Sequence, residues 1–185
     1  MIQNEFLEKT LDVFIRYGFR KTSMDDIATA VGLSRQAIYK RYGNKEALFK
    51  TVVDASVIQF FANAREALTQ PDKSIHERIF DSCNCSTGKY IDKMRSSPHS
   101  SEVIAMADSE SSDLMDEYDA AYQETMAELL LNEKVFTDKE AANDAVSVLH
   151  YASKGLFHEA KNQKEYTDGM DRVIRTVIPT DSKRK

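Results

Sequence analysis

Between residues 34 and 45 the chain carries side chains that can recognise the bases or bind the phosphates of a nucleic acid. If residues 35–42 form a helix, Ile38 and Tyr42 lie four positions apart and pack inward, which leaves the polar side chains pointing outward. Arg and Gln pair with guanine and adenine edges, Lys pairs with guanine or phosphate, and a small Ala37 can contact a thymine methyl. The residues predicted to approach bases or nearby backbone are Arg35, Gln36, Ala37, Lys40 and Arg41.

Residues that suit phosphate binding accompany this segment. Tyr39 offers a hydroxyl group, and Lys45 opens the next helix, where its ammonium group and the free backbone N–H groups favour an anion. Ser23 and Ser34 each precede a predicted helix and can cap it. We include Ser34, Tyr39 and Lys45 in the predicted DNA-binding set.

Two short helices must position these side chains. The first begins at Ser23 and ends at Gly32, and the second covers residues 35–42. A long helix then runs from residue 45 to about residue 68. Two short helices joined by a three-residue turn have the dimensions of a helix-turn-helix, whose second helix enters the DNA major groove.

Residues 22–49, TSMDDIATAVGLSRQAIYKRYGNKEALF, closely resemble the DNA-binding signature of the TetR family of transcriptional regulators. The resemblance covers residues 1 to about 50; the rest matches only in length, helicity and order. It implies a homodimer that usually represses transcription until a small-molecule effector binds the C-terminal domain. It also implies that Tyr39 and Lys45 hold phosphates, and that Ser23 contacts a phosphate as well as capping a helix.

Two positions depart from the family pattern. Tyr42 stands where the family most often has Phe, and we expect its hydroxyl group to find a partner or to reach the surface. Asp25 stands where many members have a basic or neutral residue. Because an acid there would repel phosphate, we expect Asp25 to face away from DNA or to contact a cytosine amine.

The whole chain is predicted to be all-α, with about nine helices, because apolar residues recur at spacings of three and four. We predict an N-terminal three-helix helix-turn-helix domain over residues 1–50 and a C-terminal helical ligand-binding and dimerisation domain over 51–179, with the helix 45–68 connecting them. We also expect a break within 82–88, a turn at 108–112, a last helix from residue 167 and a disordered tail over 180–185.

Composition narrows the functional class. The chain has 185 residues, 42% hydrophobic and 30% charged, which is typical of a globular protein and not of a disordered one. Residues 1–50 hold nine basic and six acidic residues, a charge of +3. Residues 51–185 carry −8, so the net charge of the chain is −5. The basic module favours a polyanionic partner, although an excess of three charges in fifty residues is small enough to arise by chance. We find no apolar run of membrane-spanning length and no secretory signal, and we expect a cytoplasmic protein without a membrane partner.

The predicted dimer interface lies on the helix over residues 138–161 and on the last helix. Small residues on one edge of the former permit close approach of a second helix, although the same stripe could belong to the core of the chain itself. The resemblance places a four-helix interface here, two helices from each subunit. The predicted interface residues are Ala141, Ala145, Val148, Leu149, Ala152, Gly155, Leu156, Val173, Ile174 and Val177.

A ligand pocket is predicted from aromatic and Met side chains, which line adaptable sites but also fill ordinary cores. Its candidate residues are Phe60, Phe61, Phe80, Cys83, Tyr90, Met94, Met106, Met115, Tyr118, Tyr122 and Met126.

Three other functions stay open at this level. The helical hairpin could dock a protein as an adaptor, Cys83 and Cys85 could sense redox state, and a small helical enzyme could use Cys83. We predict no enzyme, cofactor or metal site, because no phosphate loop, nucleophile motif or metal-ligand spacing occurs. The predicted partners are double-stranded operator DNA, a second copy of the chain and a small-molecule effector.

Overall fold

The computed structural model of the chain describes residues 2–179, and the predicted tail over 180–185 lies outside the described residues. Within the described range the chain forms nine α-helices and a short 3-10 turn at Gly88–Tyr90, without a strand, so the all-α prediction is confirmed. The helices are α1 (Ile2–Tyr17), α2 (Met24–Val31), α3 (Arg35–Tyr42), α4 (Lys45–Leu68), α5 (Ile75–Ser86), α6 (Ile91–Arg95), α7 (Ser100–Asn132), α8 (Lys139–Glu159) and α9 (Gln163–Val177).

The described residues divide into two compact units. Residues 2–58 with 93–116 form the N-terminal unit, and residues 59–92 with 117–179 form the C-terminal unit. The domain limits that we predicted from the sequence stay predictions. None of the helices within residues 2–179 is long and apolar enough to cross a membrane.

Three phenylalanines fill the core of the N-terminal unit. Phe14 of α1 and Phe49 of α4 are fully buried, with ring centroids 5.0 Å apart in an edge-to-face arrangement. Phe19, in the turn after α1, meets the Phe49 ring at 5.1 Å. Ile27 of α2 and Ile38 of α3 are also buried. This core fixes α2 and α3 against α1 and α4 and so determines which face of α3 reaches solvent.

The predicted break between residues 82 and 88 occurs at Thr87, which leaves helical geometry with φ −133° and ψ −57°. Upstream, α5 begins with a capping box in which the Ser74 hydroxyl accepts from the Glu77 backbone and the Glu77 carboxylate accepts from the Ser74 backbone. The break allows the chain to continue through the 3-10 turn into the short helix α6.

The predicted turn at 108–112 is wrong, because α7 continues through it with a kink at Ser111 (φ −132°, ψ 22°). Contacts from α4 accommodate this kink. The Ser111 hydroxyl donates to Asp54 Oδ1 at 2.6 Å, and Lys50 Nζ donates to the Glu110 carbonyl at 3.0 Å.

The last helix begins at Gln163, four residues before the predicted start at residue 167. Asn162 caps it, since its side chain accepts from the Glu165 backbone at 2.9 Å. Where α8 packs on α9, Gly169 permits close approach, because a Cβ there would lie 2.6 Å from Leu156 Cδ2.

Candidate nucleic-acid interface

Helix α2 begins with the predicted cap at Ser23. The Asp26 backbone donates to Ser23 Oγ at 3.2 Å, and Asp26 Oδ2 accepts from the Ser23 backbone at 2.8 Å, which completes a capping box. Hydrogen bonds from the Ser23 hydroxyl and backbone hold the pKa of Asp26 below its ordinary value. Gly32 ends α2 in the left-handed region at φ 71°, a conformation that other residues rarely adopt. These local signals establish the turn into α3.

Helix α3 is anchored by one side chain and exposes the rest. Ser34 caps it, accepting from the Ala37 backbone at 3.1 Å. Ile38 is only 1% exposed and points into the core, while Tyr42 is half-buried at the end of the helix. The structure therefore brings the predicted base-facing and phosphate-facing side chains together on one solvent-exposed surface, the α3 face, consisting of Arg35, Gln36, Ala37, Tyr39, Lys40 and Arg41.

Asp25 pairs with the first residue of the α3 face. Its Oδ2 lies 2.8 Å from Arg35 Nη1, and the Arg35 guanidinium lies over the Tyr39 ring, 5.3 Å from its centroid. Arg35 Nη2 also lies 3.5 Å from the Tyr39 hydroxyl. Sequence reasoning missed this pair, because the two charges are ten residues apart and meet only through the turn between the helices.

Lys45 has a structural role that its sequence position did not reveal. Its Nζ donates to the carbonyls of Phe19 at 2.9 Å, Thr22 at 3.0 Å and Arg20 at 3.4 Å. It also lies 4.5 Å from the centroid of the Phe19 ring. The ammonium group thus ties the start of α4 to the segment after α1. A phosphate contact by Lys45 stays a prediction, and it would have to replace part of this bonding.

Tyr42 does not fit the sequence expectation. Its ring stacks on Phe6, with centroids 5.2 Å apart and planes 4° apart. Its hydroxyl oxygen is buried and has no hydrogen-bond partner among the described residues. The expectation that this hydroxyl finds a partner or reaches the surface is therefore wrong, because the ring stack holds it in an apolar setting.

Replacing Tyr42 by Phe should stabilise the protein. The ring stack is kept while an unpaired buried hydroxyl is removed, so we expect the free energy of unfolding to rise by about 1 kcal/mol. Urea denaturation with an unchanged m-value measures this. Tyr39→Phe, at an exposed position, serves as the control and should change stability by about 0.5 kcal/mol or less. A loss of stability in Tyr42→Phe would contradict the assignment.

The predicted pocket residues fall in both units. Met94, Met106 and Met115 belong to the N-terminal unit, and the other eight belong to the C-terminal unit. Within the latter, aromatic rings pack against one another: the Phe60 and Tyr90 centroids are 4.2 Å apart, and those of Phe61 and Tyr122 are 5.8 Å apart. Phe61, Cys83, Tyr122 and Met126 are buried, and Phe60, Phe80, Tyr90 and Tyr118 are half-buried.

A buried polar cluster crosses the C-terminal unit. The Tyr122 hydroxyl lies 2.8 Å from Ser82 Oγ and 4.0 Å from Cys83 Sγ. The Tyr166 hydroxyl donates to the Cys83 carbonyl at 3.2 Å and lies 2.8 Å from Ser153 Oγ. Burial raises the pKa of the Cys83 thiol to about 12, so that this side chain is a neutral thiol at physiological pH. A neutral, enclosed thiol weighs against the redox-sensor and enzyme alternatives.

We expect Cys83 to label slowly in the folded protein. At pH 7 a thiol of pKa about 12 is ionised in roughly one molecule in 10⁵, and access is blocked. In a Cys85→Ser variant, which leaves Cys83 as the sole thiol, reaction with a maleimide should be at least about a hundredfold slower than in the urea-unfolded chain. The Cys83→Ser variant reports the half-buried Cys85 as the control. Equal rates for Cys83 in the folded and unfolded chain would contradict the result.

The predicted dimer residues divide into two groups. Ala145, Leu149 and Ile174 are buried in their own chain, where α8 packs on α9, and their place in a dimer interface stays a prediction. Val148 is 49% exposed and Gly155 is exposed. The other five are half-buried, namely Ala141, Ala152, Leu156, Val173 and Val177.

Sequence reasoning missed Tyr151, which is 71% exposed. It lies between Val148 and Gly155 on one exposed stripe of α8, at spacings of three and four residues. That spacing is the signal that could have identified it. A Cβ at Gly155 would meet nothing within 4 Å, so nothing in the chain itself requires glycine there. We call Val148, Tyr151 and Gly155 the α8 stripe.

Among the residues that the structure describes, no group of three or more His, Cys, Asp or Glu side chains is arranged to hold a metal ion.

Comparison with known proteins agrees with this geometry. The family described as "Bacterial regulatory proteins, tetR family" matches residues 6–52, which include α2 and α3. The HTH-type transcriptional repressor ComR of Escherichia coli K12 is 31% identical over 87 residues, 45% of this chain and 41% of that protein. The uncharacterized HTH-type transcriptional regulator YezE of Bacillus subtilis 168 is 35% identical over 75 residues, 40% of this chain and 38% of that protein. The matches thus span about two fifths of these relatives.

A solved structure shows the same fold over most of the chain. The TetR family transcriptional regulator PfmR from Thermus thermophilus superimposes with a TM-score of 0.62, covering 92% of this chain and 97% of that one at 17% identity. The likeness at this identity establishes the fold alone. The N-terminal match identifies residues 6–52 as a helix-turn-helix domain of the tetR family type. Over its length the chain has the fold of solved TetR family regulators.

Proposed function

We propose that this protein is a transcriptional regulator that binds an inverted-repeat DNA site as a homodimer. The α3 face carries the proposal, because Ile38 anchors the helix while every residue from Arg35 to Arg41 other than Ile38 is exposed. A helix held by its inner side and open along its outer side suits insertion into a major groove. The basic N-terminal residues supply the attraction to phosphate that DNA binding requires.

The α8 stripe supports the homodimer. Two of its residues are large exposed apolar side chains, and Gly155 allows a second helix to approach closely. A glycine within a helix costs about 1 kcal/mol relative to alanine, which close helix packing between subunits would offset. Pairing through a two-fold axis presents two copies of α3 to half-sites roughly 34 Å apart.

We further propose repression relieved by a small-molecule effector. The name of ComR as a repressor and the family resemblance support the sign of regulation. The C-terminal unit, with its clustered aromatic and Met side chains, is the proposed effector-binding and dimerisation domain. If the effector favours a conformer with wrongly spaced α3 helices, linkage requires DNA to weaken effector binding by the same factor. The proposed site of action is the cytoplasm, where the DNA lies.

Selection of bound duplexes from a random pool tests the function. We expect an inverted repeat whose half-sites are separated by about one helical turn, and an affinity that falls steeply with salt as counterions are released. Gln36→Ala should change the preferred bases, because Gln36 lies on the α3 face away from Ile38.

Two outcomes of the selection would overturn the proposal. In the first, the protein enriches no duplex even at low salt. If it then still binds a protein partner, the adaptor function is favoured. The other is enrichment of a single asymmetric site bound by one chain, which would remove the homodimer while leaving DNA binding in place.

A further inference from the structure

We propose that Asp25 is a positioning residue that fixes the Arg35 guanidinium for recognition of a guanine in each half-site. The inference rests on the proposed DNA-binding function and adds to it a specificity-determining pair. Asp25 belongs to the first turn of α2 and Arg35 to the first turn of α3, so the pair bridges the two helices at the edge of the α3 face.

The guanidinium is held from two directions. Asp25 Oδ2 accepts from Nη1 at 2.8 Å, and the Tyr39 ring lies beneath the guanidinium carbon at 5.3 Å. An arginine has five N–H donors in a rigid plane. The hydrogen bonds from Nη1 to Asp25 and from Nη2 to the Tyr39 hydroxyl leave three donors, enough for two acceptors on a single base. Guanine presents two such acceptors, O6 and N7, in the major groove. A guanidinium group already fixed by Asp25 and Tyr39 loses less rotamer freedom when it binds these two guanine acceptors.

The pair contributes little to folding. Both side chains are more than half exposed, at 63% for Asp25 and 55% for Arg35, and exposed ion pairs stabilise proteins weakly. The two helices also have their own caps at Ser23 and Ser34. A carboxylate in the first turn of α2 suits the helix dipole, but the fold does not require its contact with Arg35.

Charge also favours base recognition over phosphate binding for Arg35. Asp25 neutralises the attraction that Arg35 would exert on a phosphate, whereas it leaves the directional donors of the guanidinium in place. Lys40 and Arg41, which have no ion pair within residues 4–179, keep the full charge that phosphate binding uses. The α3 face thus has an arginine with a neutralising partner at its start and two cations without an ion pair near its end, one of which, Arg41, lies over the Tyr42 ring.

The experiment uses the full chain and the duplex that the wild type selects, together with duplexes in which each half-site base pair is replaced symmetrically. We expect the wild type to prefer G·C at one position by at least about tenfold. Arg35→Lys, which keeps the charge but loses the planar fork, should abolish the preference at that position. Asp25→Asn, which is isosteric but neutral, should reduce it at least about threefold and leave preferences elsewhere unchanged.

Glu46→Gln is the matched control, since it removes one exposed negative charge from the same unit and should shift all affinities together. Equal thermal midpoints for the wild type and the Asp25 variant exclude a folding defect. If Asp25→Asn keeps the full preference, or weakens every position alike, the positioning role is overturned while the DNA-binding function stands. If the wild type selects no duplex, both are overturned.

Discussion

Replacing Val148 and Tyr151 together by Asp is expected to separate the proposed homodimer and to weaken binding to the selected duplex by about a hundredfold or more. Both side chains lie exposed on the α8 stripe, so the change places four charges at the proposed two-fold interface without entering the core of the chain. A separated chain reads one half-site and loses the gain from linked binding of the second. Sedimentation gives the mass of the variant, and titration with the selected duplex gives its affinity.

The control for this variant carries the same charge change elsewhere on the C-terminal unit. Thr69→Asp with Asn132→Asp alters two exposed positions at the ends of α4 and α7, and it should remain dimeric with near wild-type affinity. A Val148→Asp, Tyr151→Asp protein that stays dimeric would place the interface away from the α8 stripe. A monomer that binds the operator as tightly as the wild type would remove the need for a dimer.

Phe14→Ala should have the largest effect on stability, a loss of about 3–5 kcal/mol. Phe14 is fully buried and its ring meets both Phe49 and Phe19, with centroids 5.0 and 5.7 Å away. Truncation leaves a cavity at the point where α1 meets α4, beneath the helices that carry the α3 face. We expect DNA binding to fall in proportion to the unfolded fraction, as chemical denaturation and duplex titration at matched temperature will measure.

Tyr17→Ala provides the comparison on the same helix. Tyr17 is 45% exposed, and its truncation should cost about 0.5 kcal/mol or less. Should Phe14→Ala cost no more than Tyr17→Ala, the aromatic cluster would not be the core of the N-terminal unit.

Local signals explain why the bounds of α3 and α4 can be predicted from the sequence to the residue. Ser34 caps α3 through its own side chain, and Asn44 caps α4, accepting from the Ala47 backbone at 2.7 Å. Each interaction spans three residues, so the sequence contains it whole. The same kind of signal at Asn162 marks the start of α9, and we missed it because the apolar pattern begins only four residues later.

Interactions between distant residues limit what the sequence reveals about the candidate site. The α3 face could be predicted, because one buried Ile38 determines which side of a short helix is exposed. The partners of Asp25 and Lys45 could not, since they are brought near by the turn after α2 and by the segment after α1. Likewise, the packing of α9 determines which small residues of α8 are buried and which are exposed.

Cross-linking of the α3 face to DNA tests the central claim most directly. Ala37→Cys, in a Cys85→Ser background, places a thiol on the exposed surface of α3. We predict disulfide formation with a thiol tethered to a major-groove base edge in both half-sites of the selected duplex, with two chains per duplex. The control Ala62→Cys, on the exposed side of α4 in the C-terminal unit, should form no such bond. Absence of the link from position 37, or equal linking from position 62, would contradict insertion of α3 into the groove.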